Sequence, residues 1–128
     1  MSEDLEKFAD QAAIDRWARL SGDSNPVHCD PEWAATTRYG GTILHGHMTV
    51  AWLMEWAMGY WGDEWVRRGE LTGLRFRRAL RPDTTYTVRA DLTDAADGSI
   101  RLAVLDRDGT EGVTATAHLR GGGKKVND

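Results

Sequence analysis

The sequence predicts an α+β fold in which one antiparallel sheet wraps a long central helix, and three features of the chain carry that reading. From His45 to about Tyr60, the run "HGHMTVAWLMEWAMGY" joins strong helix formers to apolar residues around most of its circumference, as expected of a helix buried at a domain centre. After a linker near "WGDEWVRRGE" the texture changes to apolar-polar alternation at strand period. Turn signals then recur at Pro82-Asp83, Asp97-Gly98 and Asp108-Gly109, spaced as in an antiparallel meander.

The remaining elements follow in order. "EKFA" near the N-terminus is a candidate short strand, and residues 11–20 set Ile14, Trp17, Ala18 and Leu20 at mostly helical spacing before a stop at Ser21-Gly22. "DPEWAATTRYGG" offers an Asp cap, a proline in the first turn and a short helix ending at Gly40 and Gly41. Beyond the central helix, "LTGLRFRRAL", "TYTVRADLT", "SIRLAVLD" and "GVTATAHLR" are expected to form a meander of four strands. Residues 1–120 make a single domain, and the tail 121–128, "GGGKKVND", is expected to fray. A sheet curled around one helix in this order is the outline of a hot-dog fold. Its exposed edges need covering, so a homodimer is expected.

Composition narrows the function. With 128 residues, 41% of them hydrophobic, the chain supports one core. Sixteen Lys and Arg against twenty Asp and Glu give a net charge of -4, which argues against nucleic acid or an anionic membrane as a partner. The single Cys rules out an internal disulfide and a cysteine-based zinc cluster, and "MSEDLEKFAD" has neither a basic nor an apolar targeting region. The cytoplasm is the expected compartment. The most apolar stretch, residues 48–61, is interrupted by Glu55 and is too short to span a bilayer.

The chemistry concentrates in "LSGDSNPVHCDP", residues 20–31. On an uninterrupted helix Asp23 and His28 would face different sides, but Pro26 cannot sit in a helix interior and pushes Asn25 into an extended conformation. The chain turns there, so a carboxylate and an imidazole can face one water molecule, with the Asn25 amide pinning the turn. Asp23 can accept a proton from that water, and His28 can accept or return one. In "LHGHM", a helix starting near Gly46 would present unpartnered amides at the positive end of its dipole, where a thioester oxygen can dock. Base, acid and oxyanion donor are what the addition of water to a double bond conjugated to a thioester requires.

With these residues in view, "SGDSNPVHCDPEWA" followed by "GGTILHGHMT" resembles the signature of the MaoC-like, (R)-specific enoyl-CoA hydratases and dehydratases, which are hot-dog proteins. The resemblance implies that Asp23 and His28 form the catalytic dyad, that Gly46 supplies the oxyanion-hole amide, and that the product is the (3R)-hydroxyacyl thioester. Ser21, Asn25 and Pro26 are the supporting residues of the elbow. The expected reaction is that of a hydro-lyase acting reversibly on a trans-2-enoyl thioester of coenzyme A or an acyl carrier protein. No metal or redox cofactor is expected, the coenzyme A or phosphopantetheine arm being part of the substrate. His47 stands where that family usually carries an apolar residue, which places a polar group near the substrate. Trp52, with Trp56, Trp61 and Trp65, is a candidate for reshaping the acyl tunnel. Arg75 and Arg77 of "RFRR" project to one side at strand spacing, either toward coenzyme A phosphates or as a solvated sheet face.

Other readings compete. His45 and His47 with His28 and Cys29 lack a familiar zinc spacing, and Cys29, adjacent to His28 in an extended segment, points away from it. Glu55 on the central helix is the position from which a hot-dog thioesterase would direct water at a thioester carbonyl. A non-catalytic or heteromeric hot-dog subunit is a further alternative, as is a tailoring dehydratase for an unusual substrate, favoured weakly by the six Trp.

Overall fold

The computed structural model describes residues 4–121. Its elements are β1 (Leu5–Ala9), α1 (Gln11–Ser21), α2 (Pro26–Cys29), α3 (Pro31–Ala35), α4 (Gly46–Trp61), α5 (Asp63–Arg68), β2 (Gly69–Phe76), β3 (Thr84–Asp91), β4 (Ile100–Leu105) and β5 (Glu111–Leu119). They build a five-stranded antiparallel sheet in the order β1-β3-β4-β5-β2 against which α4 packs, the α+β hot-dog arrangement expected. Of the tail expected to fray, residues 122–128 lie outside the described residues.

The expected meander of four consecutive strands is corrected. Only β3, β4 and β5 follow one another in space; β2 pairs with β5 at one edge and β1 pairs with β3 at the other. Residues 77–83 therefore cross the end of the sheet instead of making a tight turn. Along this path the Arg77 and Arg78 amides donate to the Gly112 carbonyl at 2.7 and 3.1 Å, Leu80 accepts from the Leu44 amide at 2.8 Å, and the Asp83 amide donates to Ala9 at 2.8 Å. Alternation fixes which face a strand buries; it carries no information on which strand lies beside it.

Among the described residues two α-helices appear where none was expected. The supposed linker after Trp61 contains α5, whose Glu64 pairs with both Arg67 and Arg68 at 3.1 and 3.0 Å. The elbow contains the one-turn α2, with Asn25 as its N-cap and Pro26 at its start.

The expectation that α4 is buried nearly all round also needs correction. Met48, Thr49, Trp52, Leu53, Trp56 and Ala57 are buried, a single stripe at helical spacing, while Met54 and Met58 remain 39% and 45% exposed. One sheet covers one side of a helix, so the other side stays open in the single chain. Leu53 has no exposed surface and joins Ile14 of α1 and Val88, Leu102 and Val104 of the sheet in one core. Leu53→Ala is expected to destabilise the chain by about 2–5 kcal/mol, read from urea unfolding midpoints, because the rigid sheet cannot collapse into the space left.

Candidate active site

The elbow is built by local capping. Gly22 ends α1 in the left-handed region at φ 82, where a side chain would be strained, and its amide donates to the Ala18 carbonyl. Ser21 Oγ then accepts from the Asp23 amide at 3.2 Å, and Asp23 Oδ1 accepts from the Asn25 amide at 3.3 Å. Asn25 Oδ1 accepts from the Val27 amide at 3.0 Å, capping α2 and delivering His28 one turn later.

The start of α4 is laced to this elbow. Ile43 donates to the Val27 carbonyl at 3.1 Å, and Thr42 Oγ1 donates to Gln11 Oε1 at 2.7 Å. Gln11 Nε2 in turn donates to the His28 carbonyl at 2.7 Å. The Arg81 guanidinium donates to the carbonyls of Tyr39 and Gly41, fixing the loop that leads into α4.

Hydrogen bonds settle which histidine nitrogens are free. His28 Nδ1–H donates to the Ile43 carbonyl at 2.9 Å, so in the neutral ring Nε2 keeps its lone pair. That nitrogen lies 3.9 Å from Asp23 Oδ2, too far for a direct hydrogen bond and the right span for two groups sharing a water. His28 is 9% exposed, whereas the Asp23 side chain is 40% exposed. His45 Nε2–H donates to the Asp23 carbonyl at 2.8 Å, and the His45 ring stacks on His28 with centroids 4.0 Å apart. His47 Nε2 lies 3.3 Å from Asp23 Oδ2, so this residue stands on the carboxylate and not among the walls of the cleft described below.

Burial opposes ionisation of Asp23, but the Asn25 amide, the His47 hydrogen bond and the nearby His28 and His45 rings outweigh it and hold the carboxyl below its ordinary value. Burial holds the His45 imidazole below its ordinary value of 6.5, the hydrogen bond to the Asp23 carbonyl offsetting part of the effect. The folded chain thus refuses a proton at His45 that the unfolded chain accepts. Stability from this group is complete above pH 6.5 and is expected to decline as the pH falls through that value, levelling below the folded pKa. Urea midpoints between pH 7.5 and 5 test this: His45→Gln should flatten the slope in that window. The Asp23 contribution has its own window, being present above 3.8 and lost as the pH falls through the lower, folded value.

Asp23, His28 and His45 bring possible ligand atoms within 4.8 Å of one another. Their shape does not fit a chelate. Ring lone pairs lie in the ring planes, and imidazoles stacked at 4.0 Å and 26° cannot both place an ion in-plane at about 2.0–2.1 Å. Cys29 is no stronger a candidate for chemistry, since burial, with Asp15 and Asp23 nearby, pushes its thiol up.

His28 and Gly46 line a cleft of about 340 Å³ that also meets Thr49, Phe76 and the arginines 38, 77 and 78. Asp23 is not among its walls; its Oδ2 lies 3.9 Å from Nε2 of His28, which is one of them. The first amides of α4 to find intrahelical partners are those of Met48 and Thr49, at 3.2 and 3.4 Å from the His45 carbonyl, so the Gly46 amide precedes the helical ladder. A Cβ on Gly46 would stand 3.0 Å from Phe76 Cε1, which shows how closely the ring covers this helix end.

Three expectations for the substrate-binding residues are corrected. Trp52 is buried in the core against Tyr86 and does not reach the cleft. Trp61 and Trp65 stack at the opposite end of α4, roughly 22 Å from Gly46 at 1.5 Å per residue. Arg75 and Arg77 are separated: Arg77 lines the cleft and donates to Thr114 Oγ1 at 3.1 Å, whereas Arg75 is exposed and away from it. The cause is that β2 ends at Phe76: Arg75 still pairs with Thr114 in the sheet, whereas Arg77 has entered the crossing segment, where its amide and that of Arg78 both donate to the Gly112 carbonyl, so strand alternation no longer relates the two. Glu55 is exposed and paired with Lys7 at 2.7 Å, outside the cleft.

Gln11, Trp17, Thr42, Arg38, Arg78 and Phe76 were not identifiable as site residues from sequence. They carry no distinguishing signal in the sequence; Phe76 at the end of β2, Arg78 in the crossing segment and Arg38 in the loop before α4 meet at the cleft only in the folded chain.

No helix among the described residues is long and apolar enough to cross a membrane. A family model described as "MaoC like domain" matches residues 3–114. The chain is 34% identical over 67 residues to the mouse peroxisomal multifunctional enzyme type 2, covering 52% of this chain but only 9% of that enzyme's length. It is 29% identical over 121 residues to the (R)-specific enoyl-CoA hydratase of Aeromonas caviae, covering 77% of this chain and 90% of that protein. Among solved structures, the R-hydratase PhaJ1 of Pseudomonas aeruginosa superposes with a TM-score of 0.72 at 26% identity, over 93% of this chain and 78% of that one. With the elbow, the amino end of α4 and the order of strands all in place, the chain belongs to the MaoC-like domain family.

Proposed function

We propose that the protein is a hydro-lyase that reversibly hydrates a trans-2-enoyl thioester to the (3R)-hydroxyacyl thioester. The observation that carries this reading is the 3.9 Å gap between His28 Nε2 and Asp23 Oδ2, beside a cleft that includes Gly46. A water in that gap donates one hydrogen to the carboxylate and one to the imidazole. As its oxygen bonds to the β-carbon, the second proton passes to His28 Nε2 and the π electrons shift onto the thioester oxygen, which the Gly46 amide stabilises. The protonated His28 Nε2 then gives that proton to the α-carbon of the enolate, which restores the thioester carbonyl and returns His28 to its neutral state. The thioester already makes that carbon acidic, so the proposal needs no metal or redox cofactor.

The carrier is coenzyme A or an acyl carrier protein, and Arg38, Arg77 and Arg78 on the cleft wall are the cations placed to meet its phosphates. A homodimer belongs to the same proposal. β1 and β2 are the edges of the sheet, and Met54 and Met58 leave apolar surface on α4. A cytoplasmic location belongs to the same proposal.

The test is loss of conjugated-enoyl absorbance on a panel of short to medium trans-2-enoyl thioesters, with chiral analysis of the product. Release of free thiol without loss of the double bond would replace this reading by thioester hydrolysis. Sedimentation of the purified chain decides the dimer.

A further inference from the structure

Asp23 is held from a side that the proposed reaction does not use. Trp17 Nε1–H donates to His47 Nδ1 at 2.7 Å, and the opposite nitrogen of the same ring lies 3.3 Å from Asp23 Oδ2. An indole N–H can only donate, so His47 Nδ1 must accept, and the proton of the neutral ring is on Nε2. The direction of the second bond is then fixed: His47 Nε2–H donates to the carboxylate. The two rings lie nearly parallel at 24° with centroids 5.8 Å apart, so packing as well as the hydrogen bond sets the orientation of His47.

The consequence falls on the catalytic carboxylate. Asp23 Oδ1 accepts from the Asn25 amide and Oδ2 from His47, so both oxygens are tied while lone pairs remain for a water. Without the His47 donor the Asp23 side chain, 40% exposed, would retain only the bond to Oδ1 and could rotate Oδ2 away from His28. Trp17 is on α1, Asp23 in the elbow and His47 in the first turn of α4, so the chain of bonds also joins three segments around the site.

We propose that Trp17 and His47 are positioning residues, Trp17 locking His47 in the Nε2–H tautomer so that His47 aims Asp23 Oδ2 at the water shared with His28. This inference rests on the hydratase reading for its kinetic consequence, but the lock itself can be measured without substrate. The groups facing Asp23 are His28 of α2 and His45 and His47 at the start of α4, so the titration of the carboxyl reports on all three.

The experiment uses the full chain in native, Trp17→Phe, His47→Phe and His47→Gln forms. Ring nitrogen shifts of His47 should show protonated Nε2 and bare Nδ1 in the native chain, and a tautomer mixture in Trp17→Phe, which keeps the aromatic ring but loses the donor. His47→Phe should raise the Asp23 carboxyl titration midpoint, and His47→Gln, whose amide can still donate, should restore it. With an enoyl thioester, Trp17→Phe and His47→Phe should lower kcat about tenfold with KM little changed, as expected for misplacement of a reacting group. His47→Gln should recover most of the rate, and adding Trp17→Phe to it should cost nothing further. Unchanged His47 nitrogens in Trp17→Phe, or an unchanged Asp23 midpoint in His47→Phe, would overturn the proposal. If the native chain turned over no thioester, the hydratase reading would fail, and the carboxyl midpoints would still decide whether His47 and Trp17 position Asp23.

Discussion

Asp23→Asn and His28→Ala are each expected to lower kcat/KM for a trans-2-enoyl thioester by about 10³-fold, and the double variant by little more than either alone. The non-additivity follows from the geometry. In the proposed mechanism one water is shared across the 3.9 Å between Oδ2 and Nε2, and losing either anchor releases it as a nucleophile held in line with the β-carbon. Asn in place of Asp23 keeps the shape but brings an amide that can turn a donor toward the water. Ala in place of His28 removes the lone pair that takes the proton and also breaks the bond to the Ile43 carbonyl. Initial rates of enoyl loss at thioester concentrations below KM are the measurement. Equal rates for the native chain and both variants would remove the dyad from the mechanism.

Gly46→Ala is expected to lower kcat by about 10²-fold while leaving the fold intact. The added Cβ would meet Phe76 Cε1 at 3.0 Å and Cζ at 3.2 Å, and Phe76 is 56% exposed, so the ring can swing aside without disturbing the core. What changes is the approach to the first amide of α4, where a methyl group would occupy the space a thioester oxygen needs. Phe76→Ala relieves the contact with the ring but leaves that methyl group in place. In the double variant thermal stability should therefore match Phe76→Ala alone, while kcat stays low. A full recovery of kcat in the double variant would show that Gly46 serves only to accommodate Phe76.

Much of this was legible in the sequence because the relevant constraints are local. Pro26 and Gly22 dictate an elbow by backbone sterics, Asn25 pins its turn, Asp30 caps the short helix that follows, and the amino end of α4 is set by the run of helix formers after Gly46. The existence of each strand from β2 to β5 followed from alternation and turn residues. The substrate-binding residues were less legible. The end of β2 at Phe76 separated Arg75 from Arg77, and the depth of α4 in the sheet made Trp52 a core residue. Neither event leaves a mark in the spacing of side chains.

By itself the sequence determined the fold class, the elbow carrying Asp23 and His28, and the glycine at the head of the central helix, since each depends on interactions within a few residues. Only the tertiary structure decided that β2 lies beside β5, that Arg38 and Arg78 reach the cleft, and that Trp17 faces His47 across 30 residues. Those outcomes depend on where distant segments meet when one sheet closes over one helix, and that meeting is set by the packing of the whole chain.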